Sequence, residues 1–445
     1  MIDVLLANAL VYIFTFFYAF YKARKLNIYV FIWLAYSIVT LMGYFCVKWD
    51  MYYIKDANLG YKLSPLPYIL AYMTTLLLTH PLKKYKRFYF DVSLLNSKHV
   101  YYLSFIIALV LIFQTVINGI RAYVIFNLGG FGEAYMMSHE GESISVLDSQ
   151  LLNRLFHISS VITHGFTALY AVYYLHRILK SKDSKMLNYF LFVLAFLPDI
   201  MLAFATGSKG GLFFIFFSLL FYYLLFQSYF SKKVNRHFLM IGGVIGVIFL
   251  ISVMSIIVGR IENKTGYKAD ELQTSTHIVH YLGESYPNLG VFYYKRVKAH
   301  PNGRRFFPEF FDNNAEEYYK KNGLSQKFNY WERKTKVNMA LFKTFWGDWY
   351  VEFGLLGSIV GIIIIYIAFK SLCFDSTIWT LSRLPLICFY YNRILIRGCF
   401  SGNGIEGSEI HKSLIFILAI TFIIRHFERT GRLTLQKRIH IQEQR

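Results

Sequence analysis

The chain has 445 residues, of which 56% are hydrophobic, 19% are aromatic and only 16% are charged. Soluble globular domains are roughly half apolar and about a quarter charged, so this composition excludes a water-soluble enzyme, a disordered chain and a repeat solenoid. The net charge of +21 would suggest nucleic-acid binding in a soluble protein. The positions of the basic residues have a better explanation in membrane topology, and we expect no nucleic-acid partner.

Eleven apolar segments are long enough to be predicted as membrane-spanning helices. They cover residues 3–20, 27–47, 64–82, 100–119, 151–176, 186–206, 211–230, 238–258, 347–369, 376–398 and 412–426. The sequence therefore predicts an all-α polytopic membrane protein with about 11 transmembrane helices. We interpret residues 1–445 as a single membrane domain.

Basic residues are concentrated in alternate connections between these spans. The clusters lie at residues 22–25, 83–87, 177–185 and 232–236, and in the tail after residue 425. Because cytoplasmic loops are enriched in Lys and Arg, this pattern predicts an N-terminus outside and a C-terminus in the cytoplasm.

Two connections on the predicted outer side are much longer than a connector needs to be. Residues 120–150 are predicted to form a first extracytoplasmic loop, and residues 259–346 a large one with short helices. Long loops on a rigid scaffold usually carry function. We therefore predict that the large loop forms a cap over an outward-facing site.

The segment 376–398 is the weakest of the predicted spans, because several polar residues interrupt it. These residues are Arg383, Asn392, Arg393 and Arg397. The sequence leaves two interpretations open, a helix that lines a polar cavity or a segment that re-enters the membrane without crossing it.

One carboxylate, Asp199, lies inside the apolar span 186–206. A buried carboxylate in a membrane is costly unless it is paired, which makes it a candidate functional residue. Arg154 and His157 share one face of the preceding helix, at a depth from which they could meet Asp199. We expect either an ion pair that locks the two helices together or direct participation in handling a substrate or a proton.

Three cations are predicted near the outer membrane face. Lys209 lies in the turn Gly207-Ser208-Lys209-Gly210-Gly211 at a helix start, where backbone N–H groups favour an anion. Arg260 and Arg121 follow the outer ends of their spans, where guanidinium groups suit phosphate oxygens. The alternatives are a simple interhelical turn for Lys209 and contact with lipid headgroups for the arginines.

The large loop and the helix after it hold the remaining candidates. Acidic or imidazole groups suited to proton transfer are His280, Glu284, Asp348 and Glu352. Aromatic and basic groups suited to sugars are Tyr281, Arg304, Arg305 and Trp331. Alternatively, the aromatic residues form the core of a folded cap, and the two acids Asp348 and Glu352 only stabilise a helix N-terminus. No metal site is predicted, because neither the histidines nor the four cysteines show ligand spacing.

Several short motifs resemble those of bacterial oligosaccharide repeat-unit polymerases, the Wzy-type enzymes of O-antigen and capsule assembly. They are the turn Thr206-Gly-Ser-Lys-Gly-Gly, the pair Gly259-Arg260, the stretch Tyr330-Trp-Glu-Arg-Lys-Thr-Lys-Val and the re-entry sequence Phe345-Trp-Gly-Asp-Trp-Tyr-Val-Glu-Phe-Gly-Leu-Leu-Gly. The resemblance covers the general layout of nearly the whole chain and is sharpest over residues 206–354. It departs from the expected pattern at Lys209, where an arginine would grip phosphate with two hydrogen bonds.

The resemblance implies block transfer of a growing glycan from undecaprenyl pyrophosphate to a second lipid-linked repeat unit, at the outer face of the bacterial cytoplasmic membrane. Arg260, Arg121 and Lys209 would then bind the pyrophosphate, and a carboxylate or His280 would act as general base. The resemblance implies no cofactor and no metal. A chain-length regulator and a flippase of the same pathway are the implied partners.

Two other functions stay open at this point. An O-antigen ligase-like enzyme would share the donor and the architecture but would transfer to a different acceptor. A lipid-linked oligosaccharide transporter would place polar groups near the membrane midplane, as Asp199 is placed. No internal repeat supports the transporter, and the polar residues cluster towards the outer side.

Overall fold

The computed structural model describes residues 2–49, 63–85, 87–89, 92–140, 149–180, 186–265, 271–293, 297–311, 324–339, 342–374, 377–400 and 408–443. The α-helices are α1 (Ile2–Ala23), α2 (Ile28–Lys48), α3 (Leu66–Thr79), α4 (Val92–Leu95), α5 (Lys98–Glu140), α6 (Gln150–Lys180), α7 (Met186–Leu194), α8 (Leu197–Ala205), α9 (Lys209–Phe226), α10 (Lys232–Thr265), α11 (Glu271–Gly283), α12 (Ser285–Asn288), α13 (Pro308–Phe311), α14 (Leu324–Thr335), α15 (Phe345–Cys373), α16 (Leu384–Phe389), α17 (Arg397–Phe400) and α18 (Ser408–Glu443). Two-residue strands β1 (Arg87–Phe88) and β2 (Ile378–Trp379) pair in parallel. Turns of 3₁₀ helix (His80–Lys84, Gln227–Tyr229 and Leu381–Arg383) and of π-helix (Leu289–Tyr293 and Tyr390–Ile396) complete the structure.

The protein is an all-α polytopic membrane protein. Within the described residues, seven helices are long and apolar enough to cross a membrane, and two bent helix pairs raise the number to nine. These nine coincide with nine of the eleven predicted spans. One bent pair is α7 with α8, which meet at 46°, and the other is formed by the two halves of α6, which meet at 57°.

The two remaining predicted spans are shorter than a membrane-crossing helix. Helix α3 has 14 residues and continues as the 3₁₀ turn His80–Lys84. The predicted span 376–398 begins with β2 and a 3₁₀ turn, and its helical part passes through a π-helical segment, Tyr390–Ile396. Five of the seven residues Tyr390–Ile396 are buried, and the polar residues Asn392 and Arg393 are partly buried and line a cavity inside the protein.

Helices α5 and α10 extend beyond the positions where the sequence predicted loops. Helix α5 runs to Glu140, through most of the predicted loop 120–150, and α10 runs to Thr265, past the predicted loop start at residue 259. The predicted boundaries followed the end of each apolar run. In α5 the apolar, membrane-length part itself continues to Leu128, so the predicted end at residue 119 was too early.

Residues that were predicted for the same side of the membrane contact one another. On the predicted cytoplasmic side, β1 pairs with β2, and Glu428 accepts hydrogen bonds from the backbone N–H and the hydroxyl of Ser382 at 3.1 and 2.7 Å. On the predicted outer side, Tyr68 donates to the carbonyl of Tyr286 at 3.2 Å. The helix bundle therefore has two distinct ends, and which end faces outward remains a prediction from the basic residues.

Candidate functional site

A cavity of about 840 Å³ lies among helices α5, α6, α8, α9, α14, α16 and α18. Its charged lining residues are Asp199, Glu332, Arg393 and Arg397. Its uncharged polar lining includes Thr163, Thr167, Thr206, Ser208, Ser218, Asn329, Asn338, Asn392 and Ser413. The cavity combines charge, hydrogen-bonding groups and aromatic rings, which is the composition expected of a ligand site.

Asp199 is brought to the cavity by the break between α7 and α8. Asn118 of α5 donates to the carbonyl of Pro198 at 3.3 Å, which ties α8 to α5 beside the break. Asp199 follows in the first turn of α8 and is exposed to the cavity. Within the described residues its carboxylate makes no hydrogen bond or ion pair, and its electrostatic neighbour is Arg393.

The two cavity arginines lie on the buried segment that the sequence treated as a weak span. Arg393 belongs to the π-helical turn and Arg397 begins α17, four residues later. Neighbouring residues fix this segment against α9: Tyr391 donates to the carbonyl of Phe217 at 3.3 Å, and Ser218 donates to Asn392 at 3.0 Å. π-Helical turns are rare and occur frequently at functional sites.

The environments of the two guanidinium groups differ. Arg397 lies over the ring of Phe214, with 5.6 Å between its Cζ atom and the ring centroid. Arg393 has neither a hydrogen bond nor an ion pair with any described residue and stands in the field of Asp199 and Arg397. An arginine without a partner on the wall of a cavity is prepared to bind an anion.

The glycine-rich turn joins α8 to α9 at one end of the cavity. The N–H groups of Gly207 and Ser208 donate to Phe204 and Ala203 at 3.1 and 2.8 Å, which is the Schellman pattern, and Gly207 has the positive φ that this pattern requires. Ser208 then caps α9 by accepting from the N–H of Gly211 at 3.1 Å. Ser208, Gly210 and Gly211 line the cavity, while the side chain of Lys209 lies outside the described residues.

Aromatic and amide side chains surround the cavity at the same end. Tyr281 of α11 stacks on Phe213 at 5.9 Å and meets Phe342 edge-on at 4.8 Å, measured between ring centroids. Helix α14 adds Phe328 and Asn329. Of the residues predicted to bind glycan, Tyr281 alone lines this cavity.

Two of the predicted catalytic acids form a buried cluster with Arg305 instead. Arg305 Nη2 lies 2.6 Å from Asp348 Oδ1, and its Nε lies 2.9 Å from Glu352 Oε2. The second oxygen of Glu352 accepts the backbone N–H groups of Gly303 and Arg305 at 2.8 and 3.2 Å. All three charged side chains are buried, and none of them lines the cavity.

This arrangement gives the Arg305 cluster a structural function. Each carboxylate is held by the same guanidinium, which also packs over the ring of Phe306. The cluster fastens residues 301–306 of the large loop to the first turns of α15. Asp348 and Glu352 therefore stabilise the cap, and neither carboxylate has free lone pairs directed at the cavity.

Glu284 and His280 form a second pair outside the cavity lining. His280 Nδ1 lies 3.0 Å from Glu284 Oε2, and Glu284 Oε1 accepts the N–H of Phe342 at 3.1 Å. Asn288 donates to the carbonyl of the same Phe342 at 3.1 Å. The pair thus positions Phe342, a residue that does line the cavity.

The predicted pairing of Asp199 with Arg154 and His157 is wrong. Both side chains are exposed on the first half of α6, and neither forms an ion pair with Asp199. The prediction assumed that both helices are straight, so that residues at the same depth would meet. Helix α6 instead bends by 57° between Thr163 and Gly165.

The other predicted residues lie elsewhere. Arg121 packs over Phe156, 4.5 Å from the ring centroid, and Trp331 is buried beside Tyr330. Arg304 is exposed, and the side chain of Arg260 lies outside the described residues.

Sequence reasoning missed Arg393, Arg397 and Glu332 as site residues. The two arginines were noticed, but as an argument against a spanning helix. Charged residues in an apolar segment usually face a cavity or a partner, and this signal was sufficient to select them. The interpretation of segment 376–398 as the lining of a polar cavity is the one that the structure supports. Glu332 gave no signal of its own, because its position depends on how α14 packs.

Comparison with known proteins identifies no relative, since the chain matches no protein-family model, no curated protein and no solved structure. Within the described residues, no group of three or more His, Cys, Asp or Glu side chains is placed to hold a metal ion. The chemistry of the cavity and the resemblance of the sequence motifs are therefore the observations that bear on function.

Proposed function

We propose that this protein is a lipid-linked glycosyltransferase, an oligosaccharide repeat-unit polymerase that joins undecaprenyl pyrophosphate-linked units at the outer face of the cytoplasmic membrane. The observation that carries the proposal is the pair Arg393 and Arg397 on the wall of a cavity inside the membrane bundle. Together with the motif resemblance, this pair supports a substrate that is both anionic and lipid-linked.

The charges of the cavity suit a diphosphate leaving group. Negative charge develops on the diphosphate as the glycosidic bond breaks, and fixed cations stabilise that charge without reorganisation. Arg393 and Arg397 supply two such cations, and the N-terminus of α9 contributes the positive end of its helix dipole nearby. The rigid mounting of the arginine segment keeps both guanidinium groups in place through each cycle.

The two ends of the cavity differ in polarity in a way that suits the remaining parts of the substrate. Further along α9 from the glycine-rich turn, apolar side chains lie around the hydrogen-bonded pair Ser218 and Asn392. These apolar residues are Leu111, Phe196, Ile215, Tyr222 and Phe389. The end near the turn carries the aromatic and amide groups described above. A polyprenyl chain fits the first environment, and sugar rings fit the second.

The test is glycan analysis in a strain of the source organism that lacks the gene, complemented with wild type or Arg393→Ala at matched expression. We expect single repeat units in the deletion strain and a ladder of lengths after complementation with wild type only. Long chains in the deletion strain that stay on their lipid carrier would identify a ligase instead. A control variant, Arg236→Ala, removes an exposed arginine at the other end of the bundle and is expected to restore the ladder.

A transporter of lipid-linked oligosaccharides is the second candidate, and one observation favours it. The pair α7 and α8 is a broken span with a carboxylate in the first turn after the break, as in transporters with discontinuous helices. The same deletion strain separates the two functions. Transport predicts that lipid-linked units accumulate on the cytoplasmic face, whereas polymerisation predicts single units on the outer face.

A further inference from the structure

Two carboxylates line the cavity, Asp199 and Glu332. The geometry points to Glu332 as the general base that takes the proton from the acceptor sugar hydroxyl, an inference that rests on the proposed glycosyl transfer. The sequence motifs did not select this residue for any role.

The acids that sequence reasoning favoured are already engaged. Asp348 and Glu352 share Arg305, and Glu284 is held by His280 and by the N–H of Phe342. A base must reach the hydroxyl directly or through one water molecule. None of these three carboxylates lines the cavity, so none of them meets this condition.

Asp199 is on the wrong side of the reaction for this role. It shares an electrostatic environment with Arg393, the cation that we assign to the diphosphate. A carboxylate in that position faces the leaving group, whereas in an inverting displacement, as we propose here, the incoming hydroxyl attacks the anomeric carbon from the opposite side. Asp199 therefore adjusts the charge around the diphosphate and does not deprotonate the acceptor.

Glu332 lies on α14, a helix of the cap that packs against the rest of the protein. On the buried side of α14, Trp331 and Thr335 pack into the protein, and the N–H of Lys298 donates to the carbonyl of Thr335 at 3.0 Å. Glu332 lines the cavity from the adjacent face of the helix. Its carboxylate forms no hydrogen bond or ion pair with the described residues, so its lone pairs are available to a ligand.

The neighbours of Glu332 on the same helix suit a sugar. Phe328 and Asn329 lie four and three residues earlier and line the cavity as well. An aromatic ring packs against the C–H face of a sugar, and an amide hydrogen-bonds its hydroxyl groups. The cavity-facing side of α14 thus forms an acceptor subsite, with the carboxylate beside the bound hydroxyl groups.

The proposed step couples one proton transfer to one displacement at the anomeric carbon. The Glu332 carboxylate accepts the proton of the attacking hydroxyl, whose oxygen forms the new bond to the anomeric carbon of the donor. The bond from that carbon to the diphosphate oxygen breaks, and its electron pair stays on the diphosphate, where Arg393 and Arg397 stabilise the charge. The proton then leaves Glu332 to water or to the released diphosphate.

The experiment uses the purified full-length chain in detergent, with lipid-linked repeat units extracted from the deletion strain as the substrate. The initial rate of undecaprenyl diphosphate release is measured against pH for wild type, Glu332→Gln, Glu332→Asp and Arg333→Gln. Arg333 is exposed on the same helix, and its replacement controls for loss of charge on α14. We expect Glu332→Gln to lower the rate about 100-fold or more, and Glu332→Asp to retain part of it.

The pH profile separates catalysis from a structural effect. If Glu332 is the base, the wild-type rate is expected to fall on acidification, because a protonated carboxyl group cannot accept a proton, and Glu332→Gln is expected to lose this dependence. Unchanged rate and pH profile in Glu332→Gln would overturn the inference while leaving the proposed function standing. No product from wild type with this substrate would instead contradict the proposed function itself. A loss of rate together with a fall in thermal stability, matched by Arg333→Gln, would reduce Glu332 to a structural role.

Discussion

The protein contains two groupings of arginine and carboxylate side chains. The charges are paired in one of them and unpaired in the other. In the cap, Arg305 is enclosed between Asp348 and Glu352, and every charged group has a partner. In the cavity, Arg393 and Asp199 face each other without forming an ion pair. Whether the charged groups are already paired, and not their residue type, therefore separates the structural cluster from the site that can bind a ligand.

The largest loss of stability is expected from replacing Arg305, the centre of the buried cluster in the cap. Arg305→Ala leaves two buried carboxylates without their cation, and breaking a buried ion pair in this way costs about 3–5 kcal/mol. Thermal unfolding of the purified protein should show a large fall in Tm. Arg304→Ala, which removes the exposed neighbouring arginine, should leave Tm nearly unchanged. Equal stability of the two variants would contradict the structural assignment.

Replacing Arg393, the arginine without a partner in the cavity, should lower activity without lowering stability. Arg393→Ala is expected to retain the wild-type Tm, because no buried partner loses its charge. Its rate of diphosphate release should fall about 100- to 1,000-fold, the range found when one preorganised donor to a developing anion is lost. An unfolded Arg393→Ala variant, or a fully active one, would break the distinction between the two groupings.

A smaller loss of stability is expected at Gly354, next to the Arg305 cluster. This residue interrupts α15 with φ +69° and ψ −171°, a region that is essentially restricted to glycine. A Cβ atom there would also lie 3.2 Å from the ring of His300. Gly354→Ala should destabilise the protein by about 1–3 kcal/mol. Gly246→Ala is the matched control, since within the described residues no atom outside its own helix backbone lies within 4 Å of its Cβ position, and it should lower Tm little or not at all.

The smallest effect concerns Asp199 and has a definite sign. If Asp199 opposes the binding of an anion beside Arg393, then Asp199→Asn should bind anions more tightly. Inhibition by inorganic pyrophosphate should strengthen roughly three- to tenfold, an effect of the size expected for one screened charge at short range. Weaker inhibition in Asp199→Asn would mean that the carboxylate orients Arg393 rather than opposing the anion.

The membrane-spanning helices were largely predictable from the sequence because apolar length alone specifies a spanning helix. Helices α2 and α9, for example, begin and end within a few residues of the predicted bounds. The site was not predictable to the same extent. Asp348 and Arg305 are distant in sequence, so only the folded cap reveals that they neutralise each other. Likewise, the polar residues of segment 376–398 make sense only once the surrounding helices shield them from lipid.

Direct binding of undecaprenyl diphosphate tests the central claim, which is that the cavity arginines and not the Arg305 cluster receive the anionic headgroup. The measurement is the Kd of the purified full-length protein for this lipid in detergent, for wild type, Arg393→Ala and Arg236→Ala. We predict that Kd rises at least about tenfold in Arg393→Ala, as expected for the loss of one charge-assisted contact, and is unchanged in Arg236→Ala. Wild-type affinity in a folded Arg393→Ala variant would contradict the account.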